Sequence, residues 1–270
     1  MQLEINVIDA FTNTLFKGNS AAVIITDNWL SDDLMQSIAF ENNLSETGFV
    51  VSDDEGLCHI RWFSPFSEIA FCGHGTLAAA FVLFKKDPSV DAIRFSAKAI
   101  GVFTVIQTDD GKIQMDFPNR MPEKVDDIPE SLRAGLSIAP VDVYRNEKAY
   151  FVVYNAESDV LTVGRDNEKL KELSPLNVVV TCRAKSDEYK AFDFISRYFW
   201  SEDGGGEDPV TGSVHTGLAP LWAQRLNKNE LVAYQASKRG GVLNCVVVGD
   251  RVQVSGNAVQ YMTGFITVKE

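Results

Sequence analysis

The run Thr76-Leu77-Ala78-Ala79-Ala80-Phe81-Val82-Leu83-Phe84 is built of helix-compatible residues and has almost no polar face. A helix of that composition cannot lie on a surface; other elements must enclose it on all sides. The residues before it set its position. An aromatic strand candidate (Ile60, Trp62, Phe63) leads through Pro65 to Glu68, and then Gly73-His74-Gly75 opens the helix. Glycines there allow a sharp turn and leave the first backbone amides of the helix without intrahelical acceptors, an arrangement that attracts anions.

The same design recurs in the second half of the chain. Arg197-Tyr198-Phe199-Trp200 reads as an aromatic strand, Gly204-Gly205-Gly206 as a turn, and Glu207-Asp208-Pro209-Val210-Thr211-Gly212-Ser213 as the approach to a second helix. Aligning Glu68 with Glu207 and Gly73 with Gly212 sets Ile69 against Asp208 and Cys72 against Thr211. Two such stretches point to a duplicated half. Gly217 and Pro220 fall inside the second helix candidate and predict a kink or a late start.

A chain of 270 residues, 45% hydrophobic, has enough apolar material for two moderate cores. Its net charge of -12 argues against nucleic acid or an anionic membrane surface as a partner. The N-terminal Met-Gln-Leu-Glu-Ile-Asn-Val alternates like a strand, without the features of a secretory leader, and no apolar run is long enough to span a bilayer. A soluble cytoplasmic protein is expected. Cys58, Cys72, Cys182 and Cys245 are scattered, so neither a disulfide framework nor a structural zinc site is expected.

In chain order, residues 3–9 and 21–26 read as strands. Ser31 reads as an N-cap with Asp32 and Asp33 in the first turn, opening a helix that should end near Asn42 and Asn43. Glu46 then stands at a helix-to-strand junction. Strand patterns follow over 92–107 and 113–117, with Asp109-Asp110-Gly111 as a hairpin turn. Residues 118–130 read as the crossing between domains. Beyond it, helices are expected over 129–135 and 166–173, and strands over 141–144, 149–154, 177–183, 191–199, 242–248, 251–255 and 264–268. Strands gathered around one prominent helix in each half indicate an α+β class.

Four motifs together carry a family resemblance: Gly-Asn-Ser-Ala-Ala-Val at 18–23, Asn-Leu-Ser-Glu-Thr at 43–47, Phe-Ser-Pro-Phe-Ser-Glu-Ile-Ala-Phe-Cys-Gly-His-Gly-Thr-Leu-Ala-Ala-Ala at 63–80, and Glu-Asp-Pro-Val-Thr-Gly-Ser at 207–213. In this order they resemble the PhzF-like isomerases of phenazine biosynthesis. The resemblance implies the diaminopimelate epimerase fold: two similar lobes, each a mostly antiparallel β-barrel around a central helix, with the active site between them. The lobes would comprise residues 1–120, with the last strand 264–270, and residues 121–263. It also implies a cofactor-independent, metal-free isomerase, often a homodimer, acting on a small carboxylate-bearing substrate. Carried over residue by residue, it makes Glu46 the catalytic acid/base, assisted by His74 and Asp208, with Gly73, Gly75, Gly212 and Ser213 at the substrate. The segment Trp-Ser-Glu-Asp-Gly-Gly-Gly before Glu207 departs from the usual family spacing, which leaves the pocket loop and the substrate open.

The chemistry is coherent on physical grounds. A carbon acid beside a carboxylate loses its proton more readily when fixed donors meet the developing charge, and one carboxyl group that removes and returns a proton can shift a double bond. Each residue also has a plainer reading. Glu46 could be a solvated strand residue, His74 a helix cap, Asp208-Pro209 a turn and Ser213 an N-cap. Two further functions stay open: an amino-acid epimerase using Cys72, and a non-catalytic binding protein. Thr211 opposite Cys72 speaks against a two-thiol racemase, because a hydroxyl is far less acidic than a thiol. The glycine motifs do not form a dinucleotide fingerprint, and Ser213 with His215 lacks a nucleophile elbow.

Overall fold

The computed structural model describes residues 1–201 and 206–269 of the chain. It divides into two units, Met1–Asp116 with Ser255–Glu270, and Phe117–Val254. The lobe limits read from the sequence were 120 and 263. Of the expected turn at Gly204-Gly205-Gly206, the first two residues lie outside the described residues.

In the first unit β1 (Gln2–Ala10) pairs antiparallel with β2 (Asn19–Thr26) and, on its other edge, with the chain's last strand, Ala258–Thr267. That last strand is longer than the 264–268 expected. Helix α1 (Asp32–Asn42) carries the chain to β3 (Glu46–Ser52), which lies parallel to β2. Ser31 caps α1 by accepting from the Leu34 amide, and Asn43 ends it in the left-handed conformation at φ 48°. β3 is antiparallel to β4 (Cys58–Phe63), which pairs with the two-residue β5 (Glu68–Ile69). Helix α2 (Gly73–Lys86) then crosses to β6 (Ala92–Ala97), parallel to β4, and β7 (Gly101–Gln107) and β8 (Ile113–Pro118) follow antiparallel.

The second unit repeats that succession. Short β9 (Glu123–Lys124) and helix α3 (Glu130–Gly135) precede β10 (Asp142–Arg145), which is antiparallel to β11 (Ala149–Val153). Helices α4 (Glu157–Thr162) and α5 (Asn167–Leu170) lead to β12 (Asn177–Arg183), parallel to β11 and antiparallel to β13 (Phe194–Phe199). β14 (Glu207–Asp208) and helix α6 (His215–Leu226) lead to β15 (Glu230–Gln235), parallel to β13, then to β16 (Gly241–Val248) and β17 (Arg251–Gly256). Each unit therefore reads antiparallel, parallel, antiparallel, parallel, antiparallel, with a helix supplying each parallel crossover as such connections require.

Helices α2 and α6 are the enclosed ones. Residues 73–80 of α2 and 215–223 of α6 are all buried. α1 covers the other face of its sheet, where Met35, Ile38 and Ala39 meet Ile5, Ala22, Ile24 and Phe49. β2 is thus covered on both faces, which explains its unbroken Ala-Ala-Val-Ile-Ile run. In the second unit α3, α4 and α5 supply Leu132, Val160 and Leu170 to a core with Val152, Val180 and Phe199. Helix α6 starts three residues later than the position matching α2, and Pro220 sits within it. The Thr216 carbonyl, which Pro220 cannot serve, accepts instead from the Arg120 amide at 3.0 Å. Among the described residues no helix is long and apolar enough to cross a membrane.

Candidate functional site

The repeat extends to side chains. In β4 and β5, Phe63 pairs with Glu68 and Trp62 with Ile69; in β13 and β14, Phe199 pairs with Glu207 and Tyr198 with Asp208. Arg61 grips Glu68 through two hydrogen bonds of 2.7 Å, and Arg197 grips Glu207 through bonds of 2.7 and 2.8 Å. The carboxylates that aligned best in the sequence are therefore both committed to ion pairs. The candidate chemistry lies where the two units differ.

Glu46 is the first residue of β3, opposite Ala21 of β2. Asn42 Nδ2 donates to Thr47 Oγ1 at 3.1 Å, and Ser45 Oγ donates to Asn19 Oδ1 at 3.0 Å, so the turn into β3 is pinned on both sides of Glu46. Cys72 is the N-cap of α2, and its Sγ accepts from the Gly75 amide at 3.2 Å. His74 follows in the first turn, nearly sealed from solvent. Its Nε2 lies 2.6 Å from Glu46 Oε2, an ion pair in which Glu46 is the more accessible partner, at 13% exposure of its side chain against 7%. Its Nδ1 faces Asn19 Nδ2 at 3.2 Å and Cys72 Sγ at 3.5 Å.

Burial opposes charge on His74, but its neighbours Cys72 and Glu46 outweigh it and hold the imidazole well above its ordinary range. Burial, reinforced by the Glu46 charge, pushes the Cys72 thiol up to about 11. At neutral pH that thiol is therefore protonated. The Trp62 indole nitrogen is buried and has no hydrogen-bond partner among the described residues. Trp62 also packs at Gly75, where an added Cβ would lie 3.0 Å from both Trp62 Cδ1 and Cys72 Sγ. A side chain at Gly75 would need Trp62 or Cys72 to give way, and the Gly75 amide is committed to Cys72.

In the second unit Asp208 is buried, and its Oδ2 accepts from Thr211 Oγ1 at 2.5 Å. Gln235 donates to the Asp208 carbonyl at 2.8 Å and accepts from the Thr211 amide at 2.9 Å. Gly212 and Ser213 form the turn into α6, where the Ser213 carbonyl accepts from Thr216 Oγ1. His215 Nδ1 donates to the Thr211 carbonyl at 2.8 Å, as Thr76 Oγ1 does to the Cys72 carbonyl at 2.6 Å. Burial lowers His215 to about 4, so it is neutral.

Of the residues singled out in the sequence, Glu46, Gly73, His74 and Gly75 are therefore gathered in the first unit with Cys72, and Asp208, Gly212 and Ser213 in the second with Thr211. The strand registers also identify the counterpart of Glu46. Ala149 pairs with Asn177 as Ala21 pairs with Glu46, and Val178 pairs with Phe199 as Thr47 pairs with Phe63. Asn177 is an amide whose Oδ1 accepts from the Ser201 amide at 2.9 Å. One titratable carboxyl thus stands at this position of the repeat. Sequence reading missed Asn19 as a site residue, although it lies inside the Gly-Asn-Ser motif at 18–20.

Comparison with known proteins identifies the family and the fold. A family model described as phenazine biosynthesis-like protein (PhzC-PhzF) matches residues 8–264. The chain belongs to this family. An uncharacterized isomerase of Pseudomonas aeruginosa is 44% identical over 98% of both chains. The crystal structure of a PhzF-family phenazine biosynthesis protein from Enterococcus faecalis superposes with a TM-score of 0.92 at 37% identity, covering 99% of this chain and 100% of that one. A hydroxyproline epimerase from Agrobacterium vitis shares the fold at a TM-score of 0.57 and 10% identity, over 98% of this chain and 92% of that one. The expected α+β fold of two similar lobes is therefore that of the PhzF and epimerase structures, and the PhzF family is one of isomerases. Three side chains of the first unit, Glu46, Cys72 and His74, also place one potential metal-ligand atom each within 4.8 Å of one another.

Proposed function

We propose that this PhzF-family protein is a cofactor-independent isomerase that relocates a proton on a small carboxylate-bearing substrate, with Glu46 as the single acid/base. The observation that carries the reading is the buried contact of 2.6 Å between Glu46 Oε2 and His74 Nε2, beside a Cys72 thiol that stays protonated. The Glu46 carboxylate removes a proton from carbon next to an electron-withdrawing group. The electron pair moves into the conjugated system, and the Glu46 carboxyl group returns the proton to another carbon. His74 holds the carboxylate in position and supplies compensating charge. Gly73 opens α2, whose first amides have no acceptor within the helix and favour an anionic group nearby. Asp208, Gly212 and Ser213 are assigned to recognition of the substrate's polar groups, with Asp208 taking an amine or hydroxyl.

The epimerase reading with Cys72 as base is the weaker one, because a thiol raised to about 11 is a poor base at neutral pH. The deciding experiment incubates the protein with a library of small carboxylates in deuterated water and reads deuterium incorporation by mass spectrometry. Incorporation lost in Glu46→Gln and kept in Cys72→Ala supports the proposal; the reverse pattern supports the epimerase. Binding with neither exchange nor isomerisation of the bound carboxylate by the unaltered protein would indicate a binding protein. Homodimer formation belongs to the same proposal and is read by light scattering on the eluting protein.

A further inference from the structure

Gln235 is the last residue of β15 and is fully buried. Its place is fixed from two sides, because it pairs with Ser196 of β13 and with Gly241 of β16, and the next amide, that of Ala236, donates to the Ser196 carbonyl at 2.7 Å. The Gln235 side chain holds the segment from Asp208 to Thr211 with both ends of its amide. Oε1 accepts from the Thr211 amide at 2.9 Å, and Nε2 donates to the Asp208 carbonyl at 2.8 Å. A backbone N–H needs an acceptor and a backbone carbonyl needs a donor, so the side-chain amide has one orientation here. Ser237 adds a third hold by donating to the Pro209 carbonyl at 2.7 Å.

Gln235 Nε2 also donates to Thr211 Oγ1, at 3.3 Å. A hydroxyl that accepts on one side turns its own hydrogen elsewhere, and Thr211 Oγ1 donates to Asp208 Oδ2. Amide, hydroxyl and carboxylate thus form one directed chain that ends on a carboxylate oxygen of Asp208. The repeat indicates that the fold does not need this chain. Phe63 matches Phe199, so Cys58 matches Phe194; their parallel partners Phe95 and Ala233 then match, and Gln235 falls against Ala97. Ala97, at the end of β6, has no polar side chain to hold a loop, and Ile69, the match of Asp208, has none that needs holding. The clamp and the acid occur together in one unit and are replaced together in the other.

We propose that Gln235 is a positioning residue which, through the Thr211 hydroxyl, sets the Asp208 carboxylate for the amine or hydroxyl of the substrate, and so gives the protein its preference for carboxylates that carry such a group. The inference rests on the recognition role assigned to Asp208.

The test uses the full chain and two probes: the amino- or hydroxy-carboxylate with the greatest deuterium incorporation in the library experiment, and its analogue with hydrogen in place of the amine or hydroxyl. The first gives KM and kcat for exchange, the second an inhibition constant. Gln235→Met and Thr211→Val nearly keep the side-chain shapes and remove the chain. KM should rise about tenfold in each, with kcat held within about threefold, as expected when binding to a positioned group is lost. Thr211→Ser, which keeps the hydroxyl, should recover most of the loss seen in Thr211→Val. The inhibition constant of the analogue should stay where it is, which a general loosening of the site does not produce. Circular dichroism checks that each variant folds, and Thr211→Val decides alone where Gln235→Met does not fold. Asp208→Asn separates the two claims. If it raises KM while a folded Gln235→Met or Thr211→Val does not, the inference fails and the reading of Asp208 stands. If it leaves KM unchanged, or if no amino- or hydroxy-carboxylate exchanges, that reading fails and the inference with it. Equal shifts in KM and in the inhibition constant of the analogue would also overturn the inference.

Discussion

Cys72 is the position at which the single-carboxylate and thiol mechanisms diverge most sharply, and replacing it by serine perturbs the structure little. Cys72 is buried, and its sulfur caps α2 by accepting from the Gly75 amide at 3.2 Å. A serine hydroxyl is shorter but is a stronger acceptor and one of the preferred N-cap groups, so the cap survives in Cys72→Ser. Alanine removes it, at a cost of about 1 kcal/mol. The repeat contains a precedent, since Thr211 holds the matching place ahead of α6.

The catalytic magnitudes follow from the ionisation of the thiol. With its pKa pushed up to about 11, Cys72 is a thiolate in roughly one molecule in ten thousand at pH 7. A thiolate mechanism would have to work through that minor form, whereas the Glu46 carboxylate is in place beside His74 in the resting protein. Cys72→Ser should therefore lose less than tenfold in solvent-deuterium incorporation, measured by mass spectrometry at saturating substrate. Glu46→Gln should lose about 10² to 10⁴, the usual contribution of a positioned acid/base. Serine cannot substitute for a thiolate base, so a loss above a hundredfold in Cys72→Ser, with Glu46→Gln active, would refute the argument.

Further outcomes concern stability. Arg197 holds Glu207 with both partners largely buried, at 14% and 18% exposure, and its Nη1 also donates to the Val160, Leu161 and Val163 carbonyls. Arg197→Met should therefore cost about 3 to 5 kcal/mol in urea unfolding, and Arg61→Met about 1, because the Arg61 partners Glu68 and Asp32 are far more exposed. Equal losses would contradict the burial argument. Gly217→Ala puts a Cβ 2.6 Å from Phe151 Cζ and 2.9 Å from Asn146 Nδ2, so a loss of about 1 to 3 kcal/mol is expected despite the better helix propensity of alanine. A stabilised variant would show that these neighbours yield. His215, lowered to about 4 by burial, is neutral when folded and takes up a proton more readily when unfolded. Its contribution is fully present above about pH 6.5 and is lost as pH falls towards 4, amounting to about 3 kcal/mol. The urea midpoint of the native protein should drop faster than that of His215→Gln between pH 7 and 4.5, and parallel curves would rule this out.

Much of the architecture was legible because its strongest determinants are local. A helix without a polar face must be central, and Ser31, Asp32 and Asn43 mark the ends of α1 through capping alone. What was missed depends on distant partners. β15 was not anticipated, because its buried positions include Ala233 and Gln235 rather than large apolar residues. Gln235 is buried because it satisfies Asp208 and Thr211. Asn19 reads locally as part of a turn. Only the return of α2 beneath β2 brings it to His74, and only the turn into β3 brings Ser45 to it. The capping role of Cys72 was hidden because sulfur is an uncommon N-cap acceptor.

The duplication also separates scaffold from chemistry. Where the halves agree, as at Arg61 with Glu68 and Arg197 with Glu207, the residues hold strand to strand and are occupied in doing so. Where they differ, fold stability does not require the first unit's residue, since the other unit folds the same way without it. Glu46 stands against Asn177, His74 against Ser213, Cys72 against Thr211, and Ile69 against Asp208. Exchanging a counterpart pair tests this directly. Glu46→Asn gives the first unit the residue its repeat already tolerates, so the protein should keep a single cooperative urea transition, with the loss confined to the broken ion pair with His74, while proton exchange is lost. A variant that unfolds, or one that folds and still exchanges, would return Glu46 to the scaffold.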